Sequence, residues 1–277
     1  MGSGMRDSKG ALMLVAAAGF IGLGVTAAAF AHRGGQDRPV QVADGFSWRG
    51  SIDSGDVLEI KGVNGPIIVE RASGSQIEVT AEAEGRRDDA RTVTIERVEH
   101  AGGITLCAVY PTPEGGPDNY CAPGDDGHMN VDKNDVQVSF HVLLPEGVTF
   151  HGRTVNGDVQ AMGLDSDVLL TTVNGGVVLS TTGRAEATTV NGSIEAAFGE
   201  SDFGGGLTFS TVNGSITLDV PDDIDANLDA SWLNGELDSD LPFTLQGRMA
   251  KGHARGVIGD GGPLLSLSTV NGSIRLR

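Results

Sequence analysis

Aromatic side chains are scarce, at 5% of the 277-residue chain, and that limits the kind of core it can build. Val, Ile, Leu and Ala must fill the interior, which suits a narrow core better than a broad sandwich. Basic residues are also few: 19 Lys and Arg stand against 37 Asp and Glu, for a formal charge of −18. Such a surface does not neutralise phosphates, so nucleic acid is not an expected partner, and neither is anionic lipid. The acidity reads most simply as solubility and mutual repulsion, with attraction of divalent cations as the sharper alternative. Only two cysteines are present, Cys107 and Cys121. With no C-x-x-C motif and no metal-ligand spacing, they read as a disulfide formed in an oxidising compartment, closing a loop worth ~3 kcal/mol. Neither G-x-S-x-G nor a phosphate-binding G-x-x-x-x-G-K-[ST] occurs.

What is present begins with an address. Arg6 and Lys9 precede an apolar run over residues 11–31, and Ala29-Phe30-Ala31 offers a small-x-small cleavage site before His32. No cysteine follows to carry a lipid. The run is nearly long enough to span a bilayer, but its richness in Ala and Gly favours a cleaved signal over an uncleaved anchor. Residues 1–31 are therefore expected to be a leader and 32–45 a linker. The rest should be extracytoplasmic (periplasm, cell surface or secreted), touching membrane only through an uncleaved N-terminus.

Glycine is abundant, at 42 residues without a Gly-X-Y period, which points to frequent turns between short strands. The turns recur. Seven segments, 61–69, 153–161, 171–179, 188–196, 210–218, 231–239 and 268–276, align without gaps. Each carries an Asn-Gly pair: Asn64-Gly65, Asn156-Gly157, Asn174-Gly175, Asn191-Gly192, Asn213-Gly214, Asn234-Gly235 and Asn271-Gly272. An apolar residue precedes each Asn (Val63, Val155, Val173, Val190, Val212, Leu233, Val270). Another follows three later (Ile67, Val159, Val177, Ile194, Ile216, Leu237, Ile274). With Val69, Ala161, Leu179, Ala196, Leu218 and Leu276 these read as one face of period-two strands around a turn.

Asn-Gly between alternating strands is a hairpin signal. A meander, however, needs a second good turn in every unit, and several intervals lack one. A parallel β-solenoid explains the spacing better. Its coils would stack at roughly 4.8 Å, the Asn amides would form a ladder, and Gly would supply left-handed corners. The interval between Asn64 and Asn156 breaks the rhythm with longer strands expected over 57–60, 77–83, 92–98, 104–109 and 136–143. The fold class is therefore an all-β, single-stranded parallel β-solenoid (151–277) with an elaborated N-terminal β-subdomain (46–150) that also caps it. The last coil, ending at Arg277, would be an open edge through which the chain meets a partner or itself.

The T-V-N-G-[SG]-[IV] units resemble the bacterial β-strand-repeat, adhesin-like family of unknown function. So do Leu144-Pro145-Glu146-Gly147, Val220-Pro221-Asp222-Asp223 and the run from Asp238 to Pro242. The likeness covers about residues 45–277. It implies a parallel β-solenoid in a cell-envelope setting and no catalytic residues.

Three candidate sites remain. The Asn-Gly ladder reads as structural corners; glycan binding there would want flanking aromatics, and Trp232 is the only one in a repeat core. The acidic loop around Asn130, Asp132 and Asn134 has hard-oxygen spacing suggestive of Ca²⁺, but it lacks the glycine and distal Glu of a calcium loop and reads first as solvated. Catalysis on a β-helix needs clustered carboxylates with a basic residue. Here Arg153, Arg184, Arg248 and Arg275 are scattered, and His100, His128, His141, His151 and His253 show no metal spacing. His141 is expected to be partly buried. The expectation is a non-enzymatic envelope scaffold without cofactor that binds an envelope or surface macromolecule. A polysaccharide-active β-helix enzyme and a calcium-stabilised stalk are the alternatives.

Overall fold

The computed structural model describes residues 40–42, 45–199, 205–246 and 252–277. The leader expected over 1–31 and most of the linker lie outside the described residues. Among the described residues no helix is long and apolar enough to cross a membrane.

Strands β1 (Val40–Gln41) and β2 (Phe46–Gly50) lead into β3 (Val57–Lys61), which turns at Asn64 into β4 (Ile67–Arg71). Three longer strands follow: β5 (Ile77–Glu84), β6 (Thr94–His100) and β7 (Gly103–Val109). After an excursion over residues 110–136 come β8 (Gln137–Leu144), β9 (Thr149–Arg153) and β10 (Val159–Leu164). The repeats continue as β11 (Val168–Thr171), β12 (Val177–Thr181), β13 (Ala185–Asn191), β14 (Ile194–Ala197), β15 (Leu207–Asn213) and β16 (Ile216–Asp219). The remainder holds β17 (Ala226–Asn234), β18 (Leu237–Ser239), β19 (Phe243–Leu245), β20 (His253–Ile258), β21 (Leu264–Asn271) and β22 (Ile274–Leu276).

These strands form two sheets. Sheet A runs β1-β6-β7-β3-β9-β11-β13-β15-β21-β17-β20-β19, and sheet B runs β18-β22-β16-β14-β12-β10-β4-β8-β5-β2. The strands on either side of every Asn-Gly pair lie in different sheets, so the pair is a coil corner and not a hairpin turn. Each coil gives one strand to each sheet, and neighbouring coils pair in parallel. The fold is a β-solenoid.

Period-two alternation explains the burial. Leu58, Ile60, Phe150, Leu170, Ala187, Phe209 and Leu267 face inward from sheet A. Ile67, Val69, Val159, Val177, Ile194, Ile216 and Ile274 face them from sheet B, and all are at most 1% exposed. On sheet A large and small residues share one row of the stack. Ala187, for instance, sits between Leu170 and Phe209 in register. The residue before each Asn does not share this face. Val155, Val173, Val190, Val212 and Val270 are only half-buried, and Leu233 is 58% exposed. The corner interior is taken instead by the residue two before Asn.

Chain order and coil order differ at both ends. The coil of β3 and β4 lies inside that of β7 and β8, between it and the coil of β9 and β10. The coil of β21 and β22 likewise lies between those of β15–β16 and β17–β18. The expectation of an open coil ending at Arg277 is thus overturned: both its strands are paired on both sides. The outermost coil there is that of Asn234, and β20 and β19 extend its sheet A edge in antiparallel fashion. On sheet B the edge is β18, only three residues long, with Asp238 at its centre and Glu236 and Asp240 on either side. Short, charged edges of this kind resist unwanted pairing.

Candidate functional site

The seven corner asparagines form one directed chain of side-chain hydrogen bonds. Asn156 donates its amide to Asn64, Asn174 to Asn156, Asn191 to Asn174 and Asn213 to Asn191, each at 2.8 Å. Asn271 donates to Asn213 and Asn234 to Asn271, each at 2.7 Å. Every internal member gives one bond and accepts one, an arrangement in which the bonds polarise one another. At the other end Asn64 turns its amide toward the carbonyls of Asn134 and Val136, 3.4 and 3.5 Å away.

A second ladder lies beneath the first, and sequence reasoning missed it. Thr154, Thr172, Thr189, Thr211 and Thr269, two residues before Asn, are each at most 4% exposed. Their hydroxyls donate to the carbonyls of Gly65, Gly157, Gly175, Gly192 and Gly214 of the neighbouring coil, at 2.8–3.0 Å. The signal was visible as the T of T-V-N-G, but a hydroxyl is not an obvious core residue until a buried carbonyl is found opposite it. Trp232 replaces this Thr in the outermost coil.

The role of the glycines also differs from the expected one. Among the seven, only Gly65 and Gly235 have positive φ, at 121° and 153°. In Gly157, Gly175, Gly192, Gly214 and Gly272 a Cβ would instead overlap the glycine carbonyl of the adjacent coil. Glycine is needed there for close approach of stacked backbones.

The remaining cluster sits where the excursion over residues 110–136 folds onto the outer face of sheet A. Cys107 and Cys121 are bonded, with Cα atoms 5.7 Å apart. They pack with Val109, Val98 and Met129 in a small cluster outside the main core. The Lys61 ammonium enters the loop and donates to the carbonyls of Ala122, Gly124 and Asp126 at 2.5, 2.5 and 3.0 Å. Glu59, 3% exposed at its side chain, lies 3.8 Å from that ammonium and 3.6 Å from the Arg153 guanidinium. It accepts from Thr105 and from the Gly124 amide. Arg153 also holds Asp125 at 2.6 Å, keeping that carboxyl below its usual range. Burial pulls Lys61 down, opposed mainly by the neighbouring Glu59. Burial likewise holds the His151 imidazole below its ordinary value.

The proposed cation ligands are engaged separately. Asn130 is bonded through its backbone to the Asn119 side chain, Asp132 lies 3.7 Å from Lys133, and Asn134 accepts from the Val136 amide. The oxygen atoms that do converge in this loop are backbone carbonyls, and they converge on Lys61. Among the described residues no group of three or more His, Cys, Asp or Glu is placed to hold a metal ion. His141 is exposed and not partly buried: it stands on the outer face of β8, 2.9 Å from Glu70. His253 and Arg255 share Asp229 at 2.8 and 3.0 Å.

No curated protein matches the chain. Among solved structures, it is similar to one described as a "putative cell adhesion protein" from Clostridium sporogenes ATCC 15579, at 12% identity over 84% of this chain and 98% of that one, with a TM-score of 0.44. It is also similar to a "putative adhesin" from Bacteroides fragilis NCTC 9343, at 11% identity over 86% and 99%, with a TM-score of 0.29. A third, from Parabacteroides merdae ATCC 43184 and described in the same words, gives 12% identity over 84% and 96%, with a TM-score of 0.24. The family model described as Toastrack DUF4097 matches residues 125–277, from the acidic loop through the last repeat. With more than half its length matched, and with the repeat geometry above, the chain belongs to the Toastrack DUF4097 family.

Proposed function

We propose that the protein is a non-enzymatic, adhesin-like scaffold of the cell envelope, and that the outer face of sheet A is its contact surface. The observation that carries this reading is a row of hydroxyl side chains in strict register: Thr171, Thr188, Ser210, Ser268 and Ser231 stand on five adjacent strands. The strand spacing sets them roughly 4.8 Å apart. All are half-buried, so their positions are held by their neighbours. A rigid polar array with a fixed repeat suits a partner that is itself repetitive, such as an envelope polysaccharide, better than a small substrate. An extracytoplasmic setting is supported by the Cys107–Cys121 bond, which oxidising compartments preserve.

The test is binding of the purified protein to polysaccharide and protein fractions isolated from the producer's envelope. The comparison is a Thr188→Lys/Ser210→Lys variant that keeps the strands but breaks the hydroxyl row. Binding to the polysaccharide fraction, weakened at least tenfold in the variant, is the expected outcome. Equal binding by both proteins would move the contact surface elsewhere, and release of new reducing ends would favour a polysaccharide-active enzyme instead.

A further inference from the structure

After β16 the chain passes through residues 220–225 and enters β17 one strand position further along the stack, not the adjacent one. Without β21 and β22, the edges of β15 and β16 would face those of β17 and β18 across a gap one strand wide, roughly 10 Å between flanking strands. Both edges would then present unpaired backbone groups. The chain fills the gap with its own residues 264–276, burying Leu265, Leu267, Ile274 and Leu276 to 1% exposure or less.

The slot has a chemical specification. Gly214 offers a carbonyl that takes a Thr hydroxyl, Asn213 offers an amide oxygen, and Asn234 offers an amide N–H. A segment carrying Thr two residues before an Asn-Gly pair meets all three at once. The coil of Asn234 does not satisfy Gly214 itself, because Trp232 stands where the Thr would be. Within this chain the segments 153–161, 171–179, 188–196, 210–218 and 268–276 fit, and the first four are already locked inside the stack. Residues 264–276 reach the slot from β20 through 259–263. That short connection crosses the end of β17, with Gly259 and Gly261 at φ 58° and 80°. It is pinned where Asp260 donates its amide to Asp225 and Asn227 donates to the Gly262 carbonyl. Straightening it would carry β21 and β22 out of their own slot as a unit.

We propose that this slot is a strand-acceptor site whose second occupant is residues 264–276 of another copy of the chain, giving strand-exchanged oligomers. The contacts made by the incoming segment are the same in either case, so exchange changes only the path of the connection. The proposal stands independently of what the outer face of sheet A binds.

The test uses two full-length variants, Ser231→Cys and Ser268→Cys. These residues are register partners on β17 and β21, with hydroxyl oxygens 3.1 Å apart. Both native cysteines are already bonded to each other. The two variants are mixed, held a few degrees below the unfolding midpoint, cooled and oxidised. The expected result is a covalent heterodimer on a non-reducing gel, at least tenfold above the dimer formed by either variant alone. The double variant in one chain, oxidised before heating, should stay monomeric by light scattering. If the double variant closes its internal bond while the mixture gives no heterodimer, exchange does not occur. If the double variant does not close the bond, the β17–β21 slot itself is wrong; either result overturns the proposal.

Discussion

Asn271 donates its side-chain amide to Asn213 at 2.7 Å, across 58 residues of chain, and so sits one coil nearer the centre of the stack than Asn234. The last repeat in sequence is therefore a wedge between two earlier ones. Register along the corner is carried by two parallel ladders, Asn on the outside and Thr within, and by glycines that let the backbones approach.

The glycine role separates two physical accounts. Gly175 has no positive φ but no room for a Cβ against Gly157, whereas Gly163 has φ 64° and open space. Gly175→Ala is expected to lose about 3 kcal/mol from overpacking. Gly163→Ala should lose only about 1 kcal/mol, the cost of a left-handed backbone with a Cβ. Urea midpoints decide it; equal losses would return the corner glycines to a conformational role.

Breaking the ladders should show their geometry. Asn174→Ala removes two of the six side-chain bonds and Asn234→Ala one, so losses near 2 and 1 kcal/mol are expected at about 1 kcal/mol per bond. Thr189→Val keeps the shape but strands the Gly175 carbonyl that Thr189 satisfies at 2.8 Å, for about 1–2 kcal/mol. A Thr189→Val variant as stable as the parent would mean that the inner ladder contributes nothing.

Alkali should find Tyr110. Its hydroxyl donates to the Val136 carbonyl at 2.9 Å, and burial pushes its pKa up from 10 to about 12. Below pH 10 both folded and unfolded chains keep the proton, and the contribution is fully present. Between pH 10 and 12 the unfolded chain releases it first, so stability falls with rising pH, by on the order of 2–3 kcal/mol. Tyr110→Phe should flatten that descent in urea unfolding measured from pH 9 to 12. It should also cost about 1 kcal/mol at pH 8 through the lost hydrogen bond.

The loop over sheet A is held by a side-chain ammonium, so chelation with EDTA is expected to leave the melting temperature unchanged. Lys61→Met, in contrast, leaves Glu59 buried with less cationic compensation and should cost about 3 kcal/mol. It should also speed reduction of Cys107–Cys121 by dithiothreitol, as the loop loosens. A large drop in melting temperature on chelation would instead identify the loop as a cation site.

The strand phase and the corner positions were legible because the solenoid pairs like with like. Val159 meets Val177 and Ile194 meets Ile216 in register, so the contacts are written in one repeat and copied to the next. Thr172 and its equivalents stand in the sequence without a visible role, since only the tertiary structure supplies the carbonyl that makes a buried hydroxyl favourable. Lys61 gives no signal: its three partners lie 61, 63 and 65 residues away and meet it through backbone carbonyls, which every residue carries.

The sequence by itself determined the class of fold and the residues of the seam, because period-two burial and a recurring Asn-Gly corner admit few other arrangements. The order of the coils was decided only in three dimensions. All T-V-N-G coils present equivalent edges, so pairing chemistry does not distinguish which coil follows which. In the folded chain the outer edge of β8 is taken by β5 and that of β17 by β20, which leaves their inner edges to β4 and β21. What remains open at one end is the slot that residues 264–276 fill.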